Sequence, residues 1–231
     1  MWGRQLALAD RGWRVIAPQF RGFDGGSGDP PALSIDDYAG DVVDLLDALH
    51  IHEAIVGGLS MGGYVAFALL RHAARYVHGL ILADTKAQAD TPEGVEGRQR
   101  MIEIVGSKGP AAVAEEMIPK LLGETTRRTR PDVVEHVRAL ATSSSADAIA
   151  GALRALMTRP DSTPQLSTIH VPTLILVGEE DIITPRAAAE ELHRGIGGSA
   201  LVAIPEAGHL TNLEQPDAFD AAVKQFLDHR V

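Results

Sequence analysis

Short apolar runs alternate along this chain with stretches of helical periodicity. The apolar runs are residues 13–17, 54–56, 79–83, 171–177 and 200–204. Each has the length and almost continuous apolar character of a strand covered on both faces, as strands of parallel sheets usually are. The alternation therefore predicts an α/β fold with a mostly parallel, doubly wound sheet.

Amphipathic patterns predict the helices between these strands. The chain opens with such a pattern, which Gly12 ends, and residues 34–49 carry Ser34 and Asp37 at the spacing of a capping box. Three more helices are predicted over residues 61–75, 186–194 and 216–229, the last with Pro216 near its first turn. These helices supply the crossovers that a parallel sheet needs.

The region between residues 85 and 169 lacks a convincing strand pattern. Its helical patterns cover residues 93–105, 110–122, 131–141 and 146–157. We interpret the region as a helical insertion that is too small for a separate domain and forms a lid. The predicted organisation is a first part of the core at residues 1–84, the lid at 85–169 and a second part of the core at 170–231.

The composition excludes several classes of function. The 231 residues include 21 basic and 31 acidic ones, for a net charge of −10, and the basic residues are scattered, which argues against a nucleic-acid partner. No apolar run reaches the length of a membrane span, and charges such as Arg4 and Asp10 interrupt the first twenty residues, so we expect a cytoplasmic protein. The chain has no cysteine, which excludes a thiolate nucleophile, a disulfide and a cysteine metal site.

The segment Gly58-Leu59-Ser60-Met61-Gly62 lies directly after a predicted strand and directly before a predicted helix. A sharp turn between strand and helix has little room, so we expect glycine to be needed two residues before and two residues after the serine. The serine hydroxyl would then project from the carboxyl edge of the sheet. The alternative is that Ser60 only caps the following helix.

A serine nucleophile needs a base and an acid near it. Of the nine histidines, His209 lies in the loop after the last predicted strand, at the same sheet edge as Ser60. Glu179, Glu180 and Asp181 follow the preceding strand, and the usual reach of such a loop favours Asp181, the third residue after its glycine. The sequence therefore predicts the chain order of nucleophile, acid and base as Ser60, Asp181 and His209.

The chain resembles the α/β-hydrolase superfamily, and its details are similar to the bacterial carboxylesterases and 3-oxoadipate enol-lactonases. The segments that carry the resemblance are RVIAPQFRGF, VGGLSMGGYVAF, LADTKAQADTPEG, VPTLILVGEEDIITP and AGHLTNLEQP. The resemblance implies an α/β-hydrolase fold in which Ser60 attacks a carbonyl, His209 moves the proton and Asp181 orients His209. The amide N–H of Met61 would donate to the oxyanion, and neither cofactor nor metal would be required.

The implied substrate is a small carboxylic ester or lactone. Apolar residues of the predicted lid favour an uncharged substrate, namely Met101, Ile102, Met117, Ile118, Leu121 and Leu122. Ser60, Asp181 and His209 could also serve carbon–carbon hydrolysis, perhydrolysis or haloperoxidation, and the chain could instead be a binding or signalling module or a catalytically impaired remnant. The sequence leaves these alternatives and the oligomeric state open.

The chain departs from the resemblance in two places. Gln19 stands shortly before Arg21 and Gly22, where the family usually has aspartate. The chain also begins inside the first long helix, without the strand and His-Gly loop that precede this helix in the family and supply a second oxyanion N–H. We therefore expect an amino-terminally incomplete hydrolase with weakened activity, unless residues 13–17 and 54–56 pair directly or a partner chain fills the gap.

Overall fold

A computed structural model of the protein describes residues 1–23 and 34–230. Its sheet has four parallel strands in the order β1-β2-β3-β4. The strands are β1 (Ala54–Leu59), β2 (Val77–Ala83), β3 (Thr173–Gly178) and β4 (Ala200–Ile204). Four of the five apolar runs are thus confirmed as strands, and their carboxyl ends meet at one edge of the sheet.

The prediction of a strand at residues 13–17 is wrong. The chain begins with a 3₁₀ helix at Gln5–Arg11, which Gly12 ends with a φ of 89°, and residues 13–20 have no regular secondary structure. Trp13 and Ile16 are 37% and 39% exposed. A strand exists only through its hydrogen bonds to a neighbour, and within the described ranges β1 pairs with β2 alone, so residues 13–17 and 54–56 do not pair with each other.

Helices cover both faces of the sheet. The side chains of β3 alternate, so that Ile175 and Val177 join one apolar cluster while Leu174 and Leu176 join the other. The first cluster includes α1 (Ile35–Ala48), α2 (Met61–His72) and α8 (Arg186–Gly195), and the second includes α10 (Pro216–Arg230). The capping box of Ser34 and Asp37 is present at the start of α1. The doubly wound arrangement is therefore confirmed.

Five α-helices lie between β2 and β3. They are α3 (Pro92–Lys108), α4 (Pro110–Leu121), α5 (Glu124–Thr129), α6 (Pro131–Thr142) and α7 (Ala146–Met157). A 3₁₀ helix at Thr163–Thr168 follows them, and a short helix α9 (Thr211–Glu214) precedes α10. We call residues 85–169 the helical segment; α5 was not predicted.

An ion pair joins the two ends of the helical segment. Asp90, just before α3, accepts from Arg159, just after α7, at 2.8 Å, and also from Arg98. Arg159 is buried, and its guanidinium lies 4.2 Å from the centre of the Tyr64 ring of α2. Burial raises the pKa of Asp90, but the hydrogen bonds from Arg98 and Arg159 outweigh it and lower the pKa to about 2.

In the described part of the chain, no helix is both long enough and apolar enough to cross a lipid bilayer.

Candidate active site

The turn between β1 and α2 exposes Ser60 at the carboxyl edge of the sheet. Ser60 has a φ of 51°, a conformation that costs a residue with a Cβ on the order of 1–3 kcal/mol. Its N–H donates to the carbonyl of Ala83 at 2.9 Å, which ties the turn to the end of β2. Its side chain makes no capping hydrogen bond to α2, so the structure does not support the helix-cap alternative.

The glycines around Ser60 have unequal roles. A Cβ on Gly58 would lie 2.2 Å from the backbone carbon and oxygen of Gly62, so this position has no room for a side chain. A Cβ on Gly62 would meet no atom within 4 Å, whereas one on Gly63 would lie 2.5 Å from Oγ1 of Thr85. The expectation that the turn needs glycine two residues after the serine is therefore wrong, because the close contact lies one residue further on.

Ser60, His209 and Asp181 form a continuous chain of polar contacts. Oγ of Ser60 lies 2.8 Å from Nε2 of His209, and Nδ1 of His209 lies 2.8 Å from Oδ2 of Asp181. His209 is 2% exposed and Asp181 is also buried. The three residues follow β1, β4 and β3 respectively, so the parallel sheet brings their loops together at one edge.

Local hydrogen bonds hold Asp181 in an ionised form. Its Oδ1 accepts from the N–H groups of Ile183 and Thr184 at 2.8 and 3.0 Å, and its Oδ2 accepts from Oγ1 of Thr184 at 2.6 Å. Burial raises the pKa of Asp181, but the hydrogen bonds from His209 and Thr184 outweigh it, and the pKa lies below its usual value. An ionised Asp181 favours the proton of His209 on Nδ1, which leaves Nε2 free to accept from Ser60.

The other two acidic residues of this loop point elsewhere. Glu180 accepts from the N–H of Thr125 at 2.8 Å and from its hydroxyl, at the start of α5. Glu179 is exposed and lies 3.9 Å from Arg186. Of the three candidate acids, the structure places Asp181 beside His209.

Residues 205–210, which we call the base loop, contact the helical segment. The N–H of His209 donates to the carbonyl of Leu121 at 2.9 Å. Glu214 is fully buried and accepts from the N–H groups of Gly208, Leu210 and Gly123, at 2.9, 3.1 and 2.8 Å. The residues on both sides of His209 are thus fixed against the junction between α4 and α5.

Asp84 is a further buried carboxylate at the same edge, directly after β2. It accepts from the N–H of Gly178 at 3.0 Å and from the N–H and hydroxyl of Thr211 at 3.2 and 2.6 Å. Burial raises the pKa of Asp84 to about 7, although His209 and the Thr211 hydroxyl oppose the rise. The sequence reasoning missed both Asp84 and Glu214. The signal for Asp84 was a carboxylate directly after a buried strand.

Two further points concern the predicted oxyanion donor, Met61, and the side chains that could bind a metal ion. Met61 is the first residue of α2, where a backbone N–H has no acceptor within its own helix. This N–H is therefore available to an oxyanion beside Ser60. In residues 1–23 and 34–230, no three histidine, aspartate or glutamate side chains group in a way that could hold a metal ion.

Known proteins resemble this chain in sequence and in overall fold. The profile described as "Alpha/beta hydrolase family" matches residues 1–222. The 3-oxoadipate enol-lactonase 2 of Acinetobacter baylyi is 30% identical over 224 residues, which cover 97% of this chain and 82% of that protein. A thermophilic esterase from Thermogutta terrifontis has 41% identity and a TM-score of 0.92, covering 97% of this chain and 83% of its own.

A second solved structure has a similar fold. The enol-lactonase from Burkholderia xenovorans has 28% identity and a TM-score of 0.89, over 99% of this chain and 86% of its own. The family profile covers nearly the whole chain, and the relatives are similar to it in sequence and in fold. The protein described here therefore belongs to the α/β hydrolase family.

Proposed function

We propose that the protein is a serine hydrolase that cleaves a small carboxylic ester or lactone through an acyl-enzyme on Ser60. The observation that carries the proposal is the pair of 2.8 Å contacts that link Ser60 to His209 and His209 to Asp181. This geometry suits a hydroxyl nucleophile, a base within hydrogen-bond reach and an acid that orients the base.

The reaction proceeds in two halves. Oγ of Ser60 attacks the carbonyl carbon while Nε2 of His209 takes its proton, and ionised Asp181 stabilises the resulting imidazolium. The N–H of Met61 donates to the oxyanion of the tetrahedral intermediate. His209 then gives the proton to the leaving alkoxide, and a water activated by the same base hydrolyses the acyl-enzyme. The proposal requires no cofactor or metal.

The relatives support this substrate class. Two of those compared are described as enol-lactonases and one as an esterase. Lactones and esters share an acyl carbon bonded to an oxygen leaving group, and one mechanism can therefore serve both.

We assign the helical segment the role of a lid over the acyl or alcohol group. Met101, Ile118 and Leu122 are buried, whereas Ile102, Met117 and Leu121 are partly buried, and Leu121 packs against the second apolar cluster. The apolar character of these six lid residues supports an uncharged substrate.

A substrate panel tests the proposal. The values of kcat/KM are measured for p-nitrophenyl acetate and butyrate, for simple lactones and for a vinylogous diketone. We expect activity on esters or lactones, which S60A removes and which S107A, a change at an exposed serine of α3, leaves intact. Activity on the diketone alone, or full ester activity in S60A, would contradict the proposal.

A further inference from the structure

We propose that Asp84 is a positioning residue for catalysis, whose buried carboxylate ties the loop that carries Asp181 to the loop that carries His209. The inference rests on the proposed serine-hydrolase function and adds a residue that the triad does not include. The proposed role of Asp84 is to fix the distance between Asp181 and His209.

The two oxygens of Asp84 bind residues next to the two catalytic loops, at the end of β3 and at the start of α9. Oδ1 accepts from the N–H of Gly178, the last residue of β3, three positions before Asp181. Oδ2 accepts from the N–H and the hydroxyl of Thr211, two positions after His209. One carboxylate therefore links the residue that begins the Asp181 loop to the residue that ends the His209 loop.

Asp84 has an unfavourable backbone conformation and a fully buried carboxylate. Asp84 has a φ of 46°, a left-handed conformation that is unfavourable for most residues with a side chain, and it is 0% exposed. Its own N–H donates to the carbonyl of Leu176 in β3 at 2.9 Å, which holds the residue in place. Strain and desolvation at one residue that bridges two catalytic loops indicate a role beyond ending β2.

Asp84 acts through the loops and not as a second acid. The ring nitrogens of His209 already contact Ser60, Asp181 and the Thr184 hydroxyl, the last at 3.2 Å. The hydrogen bonds of Asp84 go to Gly178 and Thr211. Asp84 therefore sets where the imidazole and the carboxylate lie but does not touch the reacting atoms.

The test compares Asp84→Asn with wild type and with a matched control. The control is Asp47→Asn, which removes a carboxylate that accepts from Tyr76 beside the amino end of β2, away from the catalytic edge. The values of kcat and KM are measured with a p-nitrophenyl ester, and the melting temperature of each variant is measured in parallel.

We expect D84N to lower kcat about 10- to 100-fold with little change in KM, because a misplaced base loses rate and not substrate binding. D47N should keep both kcat and KM within about twofold of wild type. Folded D84N with wild-type kcat, or with a raised KM and an unchanged kcat, would overturn the inference.

A milder variant keeps the test decisive if D84N does not fold. Thr211→Val removes the 2.6 Å hydroxyl hydrogen bond and leaves the carboxylate in place. We expect kcat of T211V to fall by about three- to tenfold, and a value within about twofold of wild type would overturn the inference. An inactive wild-type enzyme would contradict the proposed function itself, whereas active wild type with an unaffected D84N or T211V contradicts only the role of Asp84.

Discussion

Replacing Asp181 by asparagine should reverse the tautomer of His209 with little change to the loop. Asparagine can place its oxygen where Oδ1 now accepts from Ile183 and Thr184, at 2.8 and 3.0 Å. Its NH₂ group then replaces Oδ2, which lies 2.8 Å from Nδ1 of His209. Because the amide must donate to Nδ1, the imidazole proton moves to Nε2, and Ser60 loses its proton acceptor.

The expected loss in kcat/KM for D181N is about 10³- to 10⁴-fold, or roughly 4–5.5 kcal/mol of transition-state stabilisation. The assay is hydrolysis of p-nitrophenyl butyrate, with the melting temperature measured in parallel. Glu179→Gln is the matched control, since it makes the equivalent change at an exposed residue of the same loop. A folded D181N enzyme with a rate within about tenfold of wild type would refute the assignment of Asp181 as the orienting acid.

Three further variants test the turn and the ion pair of Asp90. Gly58→Ala should abolish activity and lower the melting temperature, because its Cβ would lie 2.2 Å from the Gly62 backbone. Gly62→Ala should fold and stay active, because its Cβ would meet no atom within 4 Å. Equal activity and equal melting temperature of the two variants would contradict the contact geometry. Asp90→Asn should lower the free energy of unfolding by about 2–4 kcal/mol at pH 7, because it removes the charge partner of buried Arg159. Because the pKa of Asp90 is about 2 in the folded protein and near 3.8 in the unfolded chain, its contribution to the free energy of unfolding is present above pH 3.8 and is lost as the pH falls toward 2. Denaturant titrations in which D90N loses as much stability at pH 2 as at pH 7 would contradict this.

The sheet could be predicted most securely at β3, which is buried on both faces. A run such as Leu174–Val177 must be apolar on every residue, and this signal does not depend on the partner strand. Residues 13–17 carry a similar signal, but no strand among the described residues pairs with them, so the apolar pattern alone gave the wrong result there. The helix at Glu124–Thr129 was missed because it has no apolar face, and Glu180 holds its first turn from another loop.

The candidate site divides in the same way. Ser60, Asp181 and His209 could be proposed from the sequence because each follows a recognisable strand. Asp84 also directly follows a predicted strand, but its hydrogen-bond partners, like those of Glu214, lie far away along the chain or in another loop, and their positions depend on the complete fold. Periodicity reports which residues are buried, but it does not report which distant loop a buried carboxylate reaches.

Covalent labelling of Ser60 tests the central claim most directly. The protein is treated with a fluorophosphonate, and the adduct is measured by intact mass spectrometry and located by peptide mapping. With His209 2.8 Å from its hydroxyl, Ser60 should react once per chain, and S60A should remain unlabelled. An unlabelled wild-type protein, or an adduct at another residue in both proteins, would contradict the account of Ser60 as an activated nucleophile.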